Sequence, residues 1–259
     1  MLLTQCSPRT IIISHPFAGS PSLPFDTVNN PPKPAEKEDI RTSLANLPEP
    51  RKSYRGYYSS APAAADMDNP KESLHDFLRA YFHLKSADWK CNNPHALKAW
   101  EASELAKMPY YYVMPLHSGM RESVKLCMKD ESLSTATKLG SRWLLDADLA
   151  VYVDEFGRTG FQGGLNWYRV TTSQQCMKDV ELFAGKKIEV PLLYMAGKKD
   201  WGTYQEPGAV DNMGKHCTKL KGVELLDDAG HWVQQEQPEK VAELVAKFLK
   251  DVRVNSMSY

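Results

Sequence analysis

The sequence predicts an open α/β fold on a parallel sheet, interrupted by a helical insertion and lacking its N-terminal strands. Three observations carry this. Two strand-like apolar runs late in the chain, Ile188–Met195 and Val223–Leu226, alternate with helical spacing, the pattern of parallel β-α units. Residues 40–180 show apolar stripes at helical period instead. Thr10–Ser14 is a β-branched run without polar alternation, as expected of a strand buried on both faces. A parallel strand needs neighbours, so a chain that opens with one reads as though earlier strands were left out.

Taken in order, residues 1–39 hold that first strand and an extended excursion marked by Pro16, Pro21, Pro24, Pro31, Pro32 and Pro34. The insertion, 40–180, opens with a short helix around Ile40, Leu44 and Leu47. Leu74, Phe77, Leu78, Tyr81 and Phe82 follow the i, i+3, i+4, i+7, i+8 stripe of an amphipathic helix that Asn69-Pro70 could start. Leu97, Trp100 and Leu105 suggest another helix, and Met120, Val124, Cys127 and Met128 a third. Leu149, Tyr152, Val153 and Phe156 form a fourth, opened by Asp146 or Asp148 and closed by Gly157 or Gly160. After Gly163-Gly164 a helix carries Trp167 and Tyr168. Residues 181–259 return to the core with the two late strands, a helix near Ala209–Cys217 and a final helix on Val241, Leu244, Val245, Phe248 and Leu249. No internal repeat is present.

Composition narrows the function classes. A chain of 259 residues with 42% hydrophobic residues can bury a substantial core. Lys plus Arg equals Asp plus Glu, 32 each, and no basic block is long enough to follow a phosphate backbone, which argues against nucleic acid. Cys6, Cys91, Cys127, Cys176 and Cys217 are scattered, odd in number and nowhere spaced Cys-x-x-Cys, against a disulfide framework or a zinc site. His75, His83, His95, His117 and His216 have no metal-ligand spacing either. Ile11–Ile13 is too short for a signal peptide or a membrane span, and the terminal Ser256-Met257-Ser258-Tyr259 is not a Ser-Lys-Leu address. The expectation is a cytoplasmic protein without stable membrane insertion, without metal or organic cofactor, and compatible with a homo-oligomer.

Candidate chemistry sits just past the carboxyl ends of the two late strands, both expected to be buried. The first runs into Gly197-Lys198-Lys199-Asp200-Trp201 and the second into Asp227-Asp228-Ala229-Gly230-His231-Trp232. Loops at the carboxyl ends of parallel strands are where open α/β sheets gather functional groups. Asp200 alone also fits a helix N-cap, and His231 alone a histidine bonded to backbone. Together they fit a carboxylate that holds an imidazole through Nδ1, so that Nε2 can take a proton.

The stretch Gly160-Phe161-Gln162-Gly163-Gly164-Leu165-Asn166-Trp167-Tyr168-Arg169, with Lys199-Asp200-Trp201 and Gly230-His231-Trp232, resembles the α/β-hydrolase-fold epoxide hydrolases over their cap and C-terminal core. The resemblance implies a partial α/β-hydrolase fold with a helical cap and an apolar epoxide opened to a vicinal diol, in secondary or lipid metabolism. It assigns Tyr168 as a cap phenol on the epoxide oxygen. The resemblance also points to Tyr54, from Tyr54-Arg55-Gly56-Tyr57-Tyr58, as the second cap phenol; paired O–H donors would stabilise a developing alkoxide. Tyr168 also reads as a core aromatic and Tyr54 as a turn tyrosine. His15-Pro16-Phe17 looks like the family's Pro-Phe turn, placing Pro16 and Phe17 in the substrate pocket, with Trp167, Trp201 and Trp232 nearby as packing groups.

The family's nucleophilic aspartate on its strand-to-helix elbow, and its His-Gly-x-Pro oxyanion loop, have no match in this sequence. Neither does a Gly-x-Ser-x-Gly elbow; Gly19-Ser20 follows the wrong element and Asp26 lies in a proline-rich loop. Three readings follow. One is a family member read from a shortened or mis-assembled gene. Another is a disabled relative that binds small apolar ligands or a partner. The third, a dehalogenase or esterase of the same fold, is opposed by the cap tyrosine motif and by the missing serine elbow.

Overall fold

Every residue of the strand Leu192–Gly197 is buried, and its alternating side chains feed two different cores. Leu193 and Met195 pack with Leu226, Ala229, Val233, Val241 and Phe248 on one face. Leu192, Tyr194 and Ala196 pack with Ile188, Met213 and Cys217 on the other. Each large side chain so buried is worth about 1.5–3 kcal/mol. The computed structural model describes residues 9–19, 39–68, 73–173, 176, 179 and 183–256. It divides into two units: Met1–Ser20 with Lys85–Ala96 and Gly185–Tyr259, and Pro21–Leu84 with Leu97–Ala184. Cys6, Ser20, the prolines from Pro21 to Pro34, Asp26 and Asn69-Pro70 lie outside the described residues.

The first unit holds a three-stranded parallel sheet in the order β1 (Thr10–Ile13), β4 (Leu192–Gly197), β5 (Leu220–Leu226). Four helices follow the late strands: α10 (Trp201–Tyr204), α11 (Ala209–His216), α12 (Val233–Glu236) and α13 (Pro238–Ser256). Two readings of burial are corrected. Flanking β4, β1 is only partly buried, with Ile13 exposed, and β5 is exposed along much of its length apart from Leu226. The expected strand from Ile188 is also shorter. Ile188 makes an isolated bridge to Cys217, and Pro191, without an N–H, precedes the continuous ladder.

The second unit is helical, with α1 (Ile40–Ala45), α2 (Tyr54–Tyr58), α3 (Pro62–Met67), α4 (Leu74–Lys85), α5 (Ala102–Leu105), α6 (Met120–Cys127), α7 (Leu133–Gly140), α8 (Asp146–Thr159) and α9 (Gln162–Thr172). It also contains an antiparallel ribbon that helical periodicity did not predict, β2 (Arg51–Ser53) against β3 (Val113–Pro115). The helix expected on Leu97, Trp100 and Leu105 reduces to α5. Leu97 and Leu105 are buried, but Trp100 turns to solvent and bends replace the first turns. Gly160, not Gly157, closes α8: its φ is +65°, and its N–H donates to the Phe156 carbonyl at 2.8 Å. Phe161 follows, stacked on Phe156 at 4.4 Å and edge-on to Phe77, while its N–H donates to Asp68 Oδ1. The Gly-Phe pair of the motif thus makes a turn and an anchor. The helix of Trp167 and Tyr168 begins at Gln162, ahead of the two glycines.

Candidate active site

The loop after β4 carries Asp200 to the N-cap of α10, where the side chain is 1% exposed. Its Oδ1 accepts from the Gly202 N–H at 2.7 Å, while Oδ2 lies 3.0 Å from His231 Nδ1. Capping and holding the imidazole are therefore not alternatives, because one oxygen serves each. With Nδ1 directed at the carboxylate as donor, Nε2 is the nitrogen left to accept a proton. The His231 side chain is 27% exposed, so it reaches solvent while its partner does not.

Two glycines bring the loops this close. A Cβ on Gly197 would stand 2.1 Å from the Ala229 carbonyl oxygen, and one on Gly230 would stand 2.4 Å from that of Lys85. The histidine's backbone is tied on both sides: its N–H donates to the Lys85 carbonyl at 2.8 Å, and its carbonyl accepts from Ser14 Oγ at 2.9 Å. Ser14, just past β1, has φ +68°, and its own carbonyl accepts from the Tyr194 hydroxyl. Left-handed backbone in a residue with a side chain costs about 1–3 kcal/mol, which these bonds offset.

In the helical unit, Tyr168 on α9 meets Tyr58 edge-on at 4.9 Å and Tyr54 at 5.8 Å. Tyr54 also packs on Tyr112, and the Tyr58 and Tyr81 hydroxyls are 3.2 Å apart. Ser59 Oγ donates to the Tyr168 carbonyl, fastening α2 to α9. Burial is the main force raising the Tyr168 hydroxyl above the ordinary phenol range, followed by Tyr54 and Tyr81 and opposed by Arg55. Burial, then Tyr81, does the same to Tyr58. Both hydroxyls therefore stay protonated at neutral pH.

The other expected pocket residues have different surroundings. Pro16 is buried; Phe17 packs against the Ile188 and Met213 cluster and edge-on to His216. Trp201 is buried against His95, and Trp232 stands edge-on to His231 at 4.8 Å. Trp167 is 71% exposed. Sequence reading had not singled out Tyr58, Tyr81, Tyr112, Ser14 or Glu236, although Tyr58 closes the stretch used for Tyr54. A groove of about 190 Å³ between β5 and α13, lined by Leu193, Gly222, Leu244 and Phe248 among others, includes neither Asp200 nor His231. Among the described residues no cluster of His, Cys, Asp and Glu could hold a metal ion, and no helix is long and apolar enough to cross a membrane.

No family model matches the chain. Curated relatives match part of it. Epoxide hydrolase B of Mycobacterium tuberculosis is 33% identical over 111 residues, 43% of this chain and 31% of that protein. Epoxide hydrolase A of the same organism is 37% identical over 107 residues, 41% and 32% respectively. The mouse bifunctional epoxide hydrolase 2 is 34% identical over 110 residues, 42% of this chain and 19% of that protein. The chain thus spans about a third or less of the length of these relatives. Among solved structures, an epoxide hydrolase from an endophytic Streptomyces superposes with a TM-score of 0.66 at 21% identity, covering 95% of this chain and 61% of that one. Epoxide hydrolase A of Mycobacterium thermoresistibile gives 0.62 at 24% identity, covering 96% and 64%. In the matched part of its sequence this chain is similar to epoxide hydrolases, and its fold is a partial version of the α/β-hydrolase fold that the solved epoxide hydrolases have.

Proposed function

We propose that this chain carries the water-activating and oxygen-protonating residues of an epoxide hydrolase acting on a small apolar epoxide. The observation that carries the reading is the 3.0 Å contact between Asp200 Oδ2 and His231 Nδ1. In this reading Asp200 fixes the imidazole, His231 Nε2 takes a proton from water, and the oxygen of that water attacks an epoxide carbon. The carbon–oxygen bond breaks toward the epoxide oxygen, which accepts hydrogen bonds from Tyr168 and Tyr54 and receives a proton from Tyr168. The phenolate and the imidazolium then settle their one-proton difference through solvent, leaving a vicinal diol and the starting residues. The step proposed for these groups is direct attack by water. The proposed setting is the cytoplasm, in secondary or lipid metabolism.

The test is turnover of an apolar aryl or alkyl epoxide by the purified chain. Diol formation is expected, falling on the order of 10²-fold or more in His231→Ala and less in Tyr168→Phe, where Tyr54 remains. Activity on haloalkanes or simple esters with epoxides untouched would overturn the assignment. The cluster of Tyr54, Tyr58 and Tyr168 favours one second reading, a truncated or catalytically disabled relative that keeps the phenols as a binding site. It requires saturable binding of the unreactive cyclic ether, weakened by Tyr168→Phe, with no diol produced.

A further inference from the structure

Glu236, at the end of α12, uses one carboxylate for three backbone donors from two segments. Its Oε2 accepts from the Ala87 N–H at 2.8 Å and the Gly230 N–H at 3.0 Å, and its Oε1 accepts from the Trp232 N–H at 3.1 Å. Gly230 and Trp232 are the two neighbours of His231 in the chain. The histidine's own N–H is held by Lys85, two residues before Ala87. The loop is thus pinned at three consecutive amides, against a segment whose approach leaves no room for a Cβ at Gly230.

We propose that Glu236 is a positioning residue for His231: by holding the amides on both sides of the histidine against the 85–87 segment, it sets the imidazole in register with Asp200. The inference rests on the reading of His231 as the base that activates water. A side chain reaches its place only as accurately as its backbone does, and about 1 Å of misplacement in a catalytic group costs on the order of 10²-fold in rate. Asp200 fixes the ring from one end, and Glu236 fixes the peptide units from the other. Buried carboxylates that accept several N–H bonds rigidify the backbone they hold, because an unmatched donor left behind is costly. Burial pushes the Glu236 carboxyl up to about 7 against the three N–H bonds that pull it down, with Asp88 adding to the rise. The titratable groups on the two segments that Glu236 holds are Lys85, whose ammonium lies 5.9 Å from the Trp232 ring centre, and His231.

The experiment observes the Nδ1–H proton of His231 in the full chain by NMR, above pH 8, where the carboxylate is ionised. In the unaltered protein a downfield signal, protected from exchange with water, is expected from the bond to Asp200. Glu236→Ala should accelerate that exchange by at least about tenfold, the factor that follows from losing a hydrogen bond to a charged group. Glu236→Gln keeps a carbonyl oxygen for Ala87 and Gly230 but turns an amide N–H₂ toward Trp232, so intermediate exchange is expected. A cooperatively folded Glu236→Ala protein with unchanged signal and exchange would overturn the proposal. If that variant does not fold, exchange in Glu236→Gln equal to the unaltered protein overturns it instead. Absence of the signal in the unaltered protein would refute the Asp200 clamp itself, and so the proposed function; an insensitive signal refutes only the role of Glu236.

Discussion

Asp200 divides its two oxygens between a helix end and an imidazole, and substitution can separate these duties. Asparagine keeps an oxygen for the Gly202 N–H and caps about as well as aspartate, whereas alanine loses about 1 kcal/mol of cap. Asp200→Asn should therefore melt close to the unaltered protein and Asp200→Ala clearly below it, as a calorimetric scan would read. Both should lose turnover, Asp200→Asn by as much as about 10⁴-fold, the effect of removing the orienting carboxylate in a Ser-His-Asp triad. Equal melting of the two variants would contradict the capping half of this assignment. Asp200 and His231 were legible in the sequence because each follows an apolar run at the place where open sheets collect chemistry. Glu236 was not, since its worth lies in a backbone amide 149 positions away that no local pattern announces.

Among the elements, α13 shows how an amphipathic stripe becomes stability. Val241 and Phe248 are buried in the cluster shared with Leu193 and Met195, and Leu244, Val245, Leu249 and Val252 pack at its margin. Truncation of Phe248 to alanine should cost about 3–5 kcal/mol by chemical denaturation, the range for removing a buried aromatic ring. A loss under about 1 kcal/mol, the range of ordinary surface changes, would show that the cluster is not continuous. The 3.6-residue period made α4, α8 and α13 legible, because long helices repeat their apolar contacts often enough to leave a pattern. Three-residue β2 and β3 repeat nothing, and the apolar spacing of 97–105 arises from Leu97 and Leu105 reaching the core through bends. The burial of β1 and β5 was not legible for a related reason: an apolar run shows strand preference, while exposure depends on the neighbours in the sheet.

For the whole molecule, pH dependence of stability follows from Glu236. Burial raises its carboxyl from about 4.5, the value of an exposed glutamate, to about 7 in the folded chain. Between those values the folded state binds the proton that the unfolded state has released, so stability from this group is present below about 4.5 and is lost as pH rises through 7. With 32 cationic and 32 anionic side chains, general charge repulsion is small in that window. Denaturant midpoints should therefore fall from pH 5 to pH 7.5, and Glu236→Gln should flatten that slope. A slope unchanged in the variant would assign it elsewhere. The chain covers about a third or less of its curated relatives, and its sequence holds Asp200, His231 and the phenols. The central claim is that His231, held by Asp200, delivers water directly to the epoxide. The most direct measurement is a single turnover in ¹⁸O-labelled water with the chain in excess over an apolar epoxide. Solvent label is expected in one of the two diol oxygens from that first turnover; a diol with both oxygens unlabelled, one of them drawn from a carboxylate of the chain, or no diol at all, would contradict it.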